Sequence, residues 1–209
     1  MRKLSLFIVL LFLFQVISVA QEAPKVEIFA GYSEFVTPHG FLSNGSFGPG
    51  VSIADRANLK GWNASVTGNA NRWLGVEGDF GGYYGHVASQ ITIDHVGPGG
   101  GITSTTFNDT AKVRFYSFLL GPRISYRGSE RVTPYVHALA GGIRETIEGP
   151  QIPSGSSQTS FGLALGGGVD VKVAEGVAIR VVQADYVRSQ FGSKFGNNMR
   201  LSFGAVFRF

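Results

Sequence analysis

Residues 199–209 read MRLSFGAVFRF, and the alternation in them decides the fold. Leu201, Phe203, Ala205, Phe207 and Phe209 fall on one side of an extended segment, and Arg200, Ser202, Gly204 and Arg208 fall on the other. Most chains end in a polar, frayed tail. An aromatic in the last place therefore marks a residue with a structural role.

The same two-residue period recurs upstream. Val26, Ile28, Ala30 and Tyr32 alternate with Glu27, Phe29, Gly31 and Ser33, and Trp62, Ala64 and Val66 with Asn63, Ser65 and Thr67. Leu74, Val76, Phe80 and Tyr84 share a face opposite Glu77, Asp79 and Tyr83. Tyr116, Phe118, Leu120, Ile124 and Tyr126 lie opposite Ser117, Gly121, Arg123 and Ser125. Phe161, Leu163, Leu165, Val169 and Val171 oppose Gly162, Ala164, Gly166, Gly168 and Asp170. Two further strands are expected at 133–145 and 177–189, with their phase open. In the second, Arg180 and Asp185 have opposite parity, so either one faces lipid near an interface or a bulge shifts the register. With the first and last segments the total is eight strands.

Connections between them sort by length. Segments 35–57, 86–109, 147–159 and 189–197 read as long Gly/Ser/Asn/Pro-rich loops, and 69–72, 127–131 and 173–176 as tight turns. Long and short alternate strictly, which a soluble sandwich has no reason to do. The expectation is an all-β, eight-stranded antiparallel transmembrane β-barrel with short periplasmic turns and long extracellular loops. A soluble lipocalin-like barrel is the competing architecture. Against it stands the less greasy face, which mixes glycines with isolated Glu77, Asp79, Arg123, Asp170 and Arg208 where a water-facing surface would be rich in Lys, Glu and Thr. Eight strands leave a lumen just filled by side chains, so those charges must pair with one another. Tyr32, Trp62 and Tyr84 lie towards the long-loop ends of their strands and Trp73 and Tyr126 beside the short turns, which predicts two aromatic belts.

Composition agrees with export to a membrane. MRKLSLFIVLLFLFQVISVA has a basic start at Arg2 and Lys3, an apolar core from Leu4 to Val16 and small residues at Ser18-Val19-Ala20. Its apolar run is shorter than the roughly 20 residues of a membrane helix. The reading is a signal peptide over 1–20, cleaved after Ala20, and a barrel domain over 21–209; an uncleaved anchor is the alternative. Removing Arg2 and Lys3 leaves 16 basic residues of 18 against 14 acidic ones, which argues against a nucleic-acid partner. The absence of cysteine removes disulfides and zinc-thiolate chemistry. Thirty glycines and 17 phenylalanines, with only 15% charged residues, are unusual for a soluble domain.

Several stretches together, KVEIFAGYS (25–33), FYSFLLGPRISY (115–126), TPYVHALAGG (133–142), IRVVQADY (179–186) and LSFGAVFRF (201–209), resemble the OmpA-like, porin-type outer-membrane barrel superfamily of Gram-negative bacteria. That superfamily includes the small barrel OmpX and the Opa adhesins. The resemblance covers essentially the whole chain after residue 24. It implies location in the cell outer membrane, with lipid and lipopolysaccharide around the barrel. It also implies that Ser202, Gly204, Phe207 and Phe209 occupy the places of a recognition signal for the barrel-assembly machinery. No peptidoglycan-binding domain follows in this sequence, so no cell-wall tether is expected.

For chemistry the inventory is thin. There is no HExxH, Walker-type loop or nucleophile elbow, and GPGGG at 97–101 has no following helix to cradle a phosphate. No catalytic residue, cofactor or metal is therefore expected. His39 and His95 fall in loops, His86 at a strand end and His137 in a strand of open phase. The nearest catalytic-looking group is His86, Ser89, Asp94 and His95, which lacks the His-x-Ser spacing that lipid A deacylase barrels resemble. Arg188, Lys194 and Arg200, around the last loop, are candidates to meet lipopolysaccharide phosphates, with solvated loop charges as the alternative. The expected function is a non-catalytic envelope structural protein or surface interaction scaffold, its long loops open to an extracellular ligand. A narrow porin-like channel and a lipid A-modifying barrel enzyme are the alternatives.

Overall fold

A computed structural model describes residues 24–37, 51–53, 57–96, 102–149, 152–191 and 194–209. Every regular element in them is a strand: β1 (Val26–Thr37), β2 (Val51–Ile53), β3 (Ala57–Asn69), β4 (Leu74–Val96), β5 (Ile102–Ser125), β6 (Val132–Gly149), β7 (Ile152–Ala174), β8 (Val177–Phe191) and β9 (Lys194–Arg208). Eight of them, all but β2, pair antiparallel in chain order, β1 with β3 and each later strand with the next. The ring closes because β1 also pairs with β9, from Glu27 opposite Arg208 to Val36 opposite Met199. The eight-stranded antiparallel barrel expected from the alternation is thus the fold. At the seam Phe209 completes the ladder: its amide donates to the Val26 carbonyl at 2.9 Å and its carbonyl accepts from the Val26 amide at 3.1 Å. Its ring stays 69% exposed on the outer wall.

Alternation sets the two faces as the sequence predicts. Ile28, Phe80, Phe118, Leu120, Leu165, Phe203 and Phe207 stand on the outside, and Glu27, Glu77, Asp79, Arg123 and Asp170 inside. The tight turns fall at 70–73, 126–131 and 175–176. In the first, the Asn71 side-chain oxygen accepts from the Trp73 and Leu74 amides at 2.9 and 2.8 Å. In the last, Gly176 takes φ +71°, a left-handed conformation that suits glycine.

At the other end the composition misleads. Segments read as long loops are largely paired strand: β4 and β5 remain in register from Leu74 opposite Ile124 to Val96 opposite Ile102. β6 likewise runs to Gly149 before β7 begins at Ile152, and β8 to Phe191 before β9 at Lys194. A backbone ladder asks only for extended residues, and β-branched runs such as ITI at 91–93 and ITSTT at 102–106 supply them. The 35–57 connection contains β2, which pairs with Ser89–Ile91 of β4. His39 and GPGGG at 97–101 lie outside the described residues.

The open phase of the seventh expected strand is settled by a bulge. On β8 the register against β9 shifts between Arg180 and Gln183, and Val181 and Val182 both face out, 58% and 45% exposed. Arg180 and Asp185 therefore both point inward despite their opposite parity. His137 on β6 also faces the lumen.

Candidate functional site: an ion-paired lumen

In the half of the barrel nearer the tight turns, every one of the eight staves contributes a polar side chain to one network. Arg200 on β9 grips Asp79 of β4 with two nitrogens, at 2.6 and 3.2 Å, and donates to Asp185 of β8 at 2.7 Å. Asn63 of β3 adds a bond to Asp79 at 2.9 Å. His137 is clamped between Asp185 (Nε2, 2.7 Å) and Glu77 (Nδ1, 3.0 Å). Ionised carboxylates only accept, so a ring bonded to both donates from each nitrogen and carries positive charge. Glu77 lies 3.9 Å from Arg123, which donates to Asp170 at 3.1 Å and to Thr67 at 3.3 Å and lies 3.3 Å from Glu27. Arg180 binds Asp170 and the Gln183 carbonyl, at 2.8 and 2.6 Å. The Tyr135 ring lies between Arg123 and Arg180, 3.7 and 4.5 Å from their guanidinium carbons.

Five carboxylates, Glu27, Glu77, Asp79, Asp170 and Asp185, thus meet three guanidiniums and one imidazolium in the buried interior. Arg123, Arg180 and Arg200 are each no more than 1% exposed. Burying so many charges is tolerable only because nearly all find opposite partners, and the barrel cannot lose one partner without stranding another. Room for the clamp comes from Gly166: a Cβ there would collide with the Asp185 carboxylate and the Ala184 carbonyl.

The residues singled out from the sequence are distributed as follows. Glu77, Asp79, Arg123 and Asp170 join the network as expected, and Arg208 reaches Glu27 at 3.3 Å. Arg200 does not belong to the last loop. It is buried in the lumen between two carboxylates, and its shared parity with Ser202 and Gly204 was already the signal. Arg188 is exposed on β8, and the Lys194 side chain lies outside the described residues. Glu27, Arg180, Gln183 and Asp185 carry the network without having been singled out as site residues; inward parity marks Glu27, and only the bulge reveals the rest. Ser202 faces in and shares a hydrogen bond with Ser33 at 2.7 Å, Gly204 sits opposite Gly31, and Phe207 and Phe209 face out. Tyr32, Trp62, Trp73, Tyr84 and Tyr126 are all exposed, with Tyr32 opposite Trp62 across the β1–β3 ladder.

His86, Ser89, Asp94 and His95 are strung along β4. At roughly 3.3 Å per residue that strand separates its ends by tens of ångströms. His137 is the histidine held by carboxylates, and both its nitrogens are committed to them, which leaves neither to take a proton from a nucleophile. The described residues hold no cluster of His, Cys, Asp and Glu fit for a metal ion.

A closed barrel with an apolar outer wall and a charged, packed interior is a transmembrane β-barrel. A family model described as the outer membrane protein beta-barrel domain matches residues 7–209, and the chain belongs to that family. Its place is accordingly the outer membrane. Among solved structures it is similar to Neisserial surface protein A (NspA), at 15% identity and TM-score 0.58, over 90% of this chain and 100% of that one. It is also similar to Ail, the attachment invasion locus protein of Yersinia pestis, solved with the heparin analogue sucrose octasulfate. That match has 18% identity and TM-score 0.52, over 89% and 100% of the two chains. At such identities the likeness is one of fold. No curated protein matches the chain.

Proposed function

We propose that the protein is a non-conducting, non-catalytic outer-membrane scaffold that carries surface-exposed β-hairpins for interaction with an extracellular ligand and helps stabilise the envelope. The observation that carries this reading is the closed, ion-paired lumen. A water-filled pore would wet the charges that line it, yet the three central arginines are fully buried. Above them the ladder of β4 and β5 continues to Val96 and Ile102, so the barrel holds a paired hairpin well beyond its midsection. Planar bilayers doped with the purified protein should show no unitary current steps in concentrated KCl. Reproducible steps would replace the scaffold with the narrow-channel reading. For catalysis, lipid A from wild-type, deletion and His137→Ala strains should give the same mass spectrum, and a histidine-dependent change in acyl chains would overturn the non-catalytic reading.

Delivery to the membrane completes the proposal. The leader over 1–20 is removed after Ala20, and Ser202, Gly204, Phe207 and Phe209 present the last strand to the barrel-assembly machinery. Supporting this, Phe207 and Phe209 face outward on the strand that closes the ring. Burying one ring contributes only about 1.5–3 kcal/mol, so deleting Phe209 should lower the stability of the refolded barrel modestly and its amount in outer membranes severely. Normal outer-membrane levels of the truncated chain would remove the signal role. Tyr32, Trp62, Tyr84, Trp73 and Tyr126 are proposed as the two interfacial belts, with lipopolysaccharide around the outer one.

A further inference from the structure

The turn end of the barrel holds a cavity of about 890 Å³ below the sealed network. Its wall draws on nearly every periplasmic element: Lys25 ahead of β1, Arg72 between β3 and β4, Arg127 and Glu130 between β5 and β6, Lys172 near the end of β7, and Arg208 on β9. Five cations thus surround a space whose one acidic side chain is Glu130, beside the terminal carboxyl group of Phe209. Among the described residues Lys25, Arg72 and Lys172 have no ion-pair partner.

Arg127 and Arg208 link this vestibule to the network, where they share carboxylates with its arginines. Glu27 lies within 2.9, 3.3 and 3.3 Å of Arg127, Arg208 and Arg123, and Asp170, already held by Arg123 and Arg180, is 3.7 Å from Arg208. Arg127 Nε and Arg208 Nε and Nη2 are left buried without a hydrogen bond, as are Arg123 Nε and Glu27 Oε2 deeper in the lumen. Buried donors without acceptors are rare in folded proteins. The cations converge on one concave space, so their positive fields add there.

We propose that the periplasmic vestibule is a binding site for a phosphate-bearing anion. A carboxylate offers two oxygens and one charge, whereas a phosphate group offers several oxygens and up to two charges, which suits guanidiniums and ammoniums converging from different sides. The group comes either from a soluble phosphate compound or from a phospholipid headgroup of the inner leaflet.

Inorganic pyrophosphate is the probe, titrated by calorimetry into protein refolded in an uncharged detergent, with sodium chloride at matched ionic strength as the baseline. Saturable binding is expected, and Arg72→Gln combined with Lys172→Gln should weaken it about tenfold. Lys60→Gln, at the opposite end of the barrel, should leave it unchanged. Neither Arg72 nor Lys172 uses its charged head to hold the lumen, so both variants should keep the migration of the folded barrel. Should the double variant fail to fold, Lys25→Gln takes its place, with a smaller loss expected. Repeating the titration in phosphatidylglycerol nanodiscs separates the sources. Weaker pyrophosphate binding there assigns the site to a lipid headgroup, and undiminished binding assigns it to a soluble phosphate. No binding above the chloride baseline, or equal binding by wild type and vestibule variants, overturns the proposal.

Discussion

The lower and upper halves of the lumen are built from the same staves and obey opposite rules. In the lower half the interior is charged and the outer wall greasy. Above the level of Tyr84 and Tyr116 the polarity inverts. Lys60, Lys112, Arg114, Arg144, Glu148 and Arg188 face outward, and Phe35, Leu59, Val113, Phe115, Ile143, Ile147 and Val187 pack inside as an apolar collar. Single strands show the crossover. Reading β5 from its external end, Ala111, Val113 and Phe115 point in before Arg123 does, while Lys112 and Arg114 point out before Phe118 and Leu120. The parity of each side chain never changes along this stretch; the solvent does. Lipid around the lower half rewards an apolar exterior, and water around the collar rewards an apolar interior. The lesson is that a β-barrel can pass from membrane into water without a break in its ladder by exchanging the chemistry of its two faces.

Removing a partner from the charged half should cost most. Arg200→Met takes the cation from Asp79, which keeps the Asn63 hydrogen bond, and leaves Asp185 to His137 and Gln183, and about 3–5 kcal/mol of unfolding free energy should disappear, measured by urea titration in lipid vesicles. A loss below about 1 kcal/mol would mean that water reaches this half and that the contrast is false. In the collar the corresponding damage is a void. Leu59→Ala, at a fully buried position, should cost about 2–5 kcal/mol by the same measurement, whereas a hydrated collar would tolerate it.

Steric intrusion tests the clamp more finely. Gly166→Ala pushes a methyl group into the space of the Asp185 carboxylate, and about 1–3 kcal/mol is the expected penalty. Wild-type stability in that variant would show that the His137–Asp185 contact does not depend on the glycine.

A titration sharpens the boundary between the halves. Glu145 lies on the inner parity of β6 just beyond Arg144, outside the membrane-spanning stretch, and burial pushes its carboxyl up from 4.5 to about 7. A raised carboxyl favours the folded state when protonated. Its contribution is therefore fully present below pH 4.5, is lost as pH rises to about 7, and is flat above that. Urea midpoints taken below and above this window should differ in that direction, and Glu145→Gln should abolish the part of the slope due to this group. The smallest effect belongs to the outer face of the collar, where Arg114 and Glu148 pair at 3.0 Å in water. Breaking that pair with Glu148→Gln should cost less than about 1 kcal/mol, and the cost should vanish in high salt. A larger, salt-independent loss would place the pair out of water.

Alternation alone exposed the strand count, the two faces and the inward charges Glu77, Asp79, Arg123 and Asp170, because a period of two is a local property that a lipid exterior leaves in plain view. It also placed Phe209 on the outer face of the last strand. Composition erred where it judged the external segments, since Gly, Ser and Thr mark loops only when no partner strand lies alongside, and pairing is not written in either segment by itself. What the tertiary structure alone decided is which charges meet. Arg200 and Asp79 are 121 residues apart and His137 and Glu77 are 60 apart, so their contacts follow from register and ring closure. The bulge at Val181–Val182 likewise depends on what β7 and β9 require of β8. A sequence states which side of a strand each residue takes; only the closed ring states what it will find there.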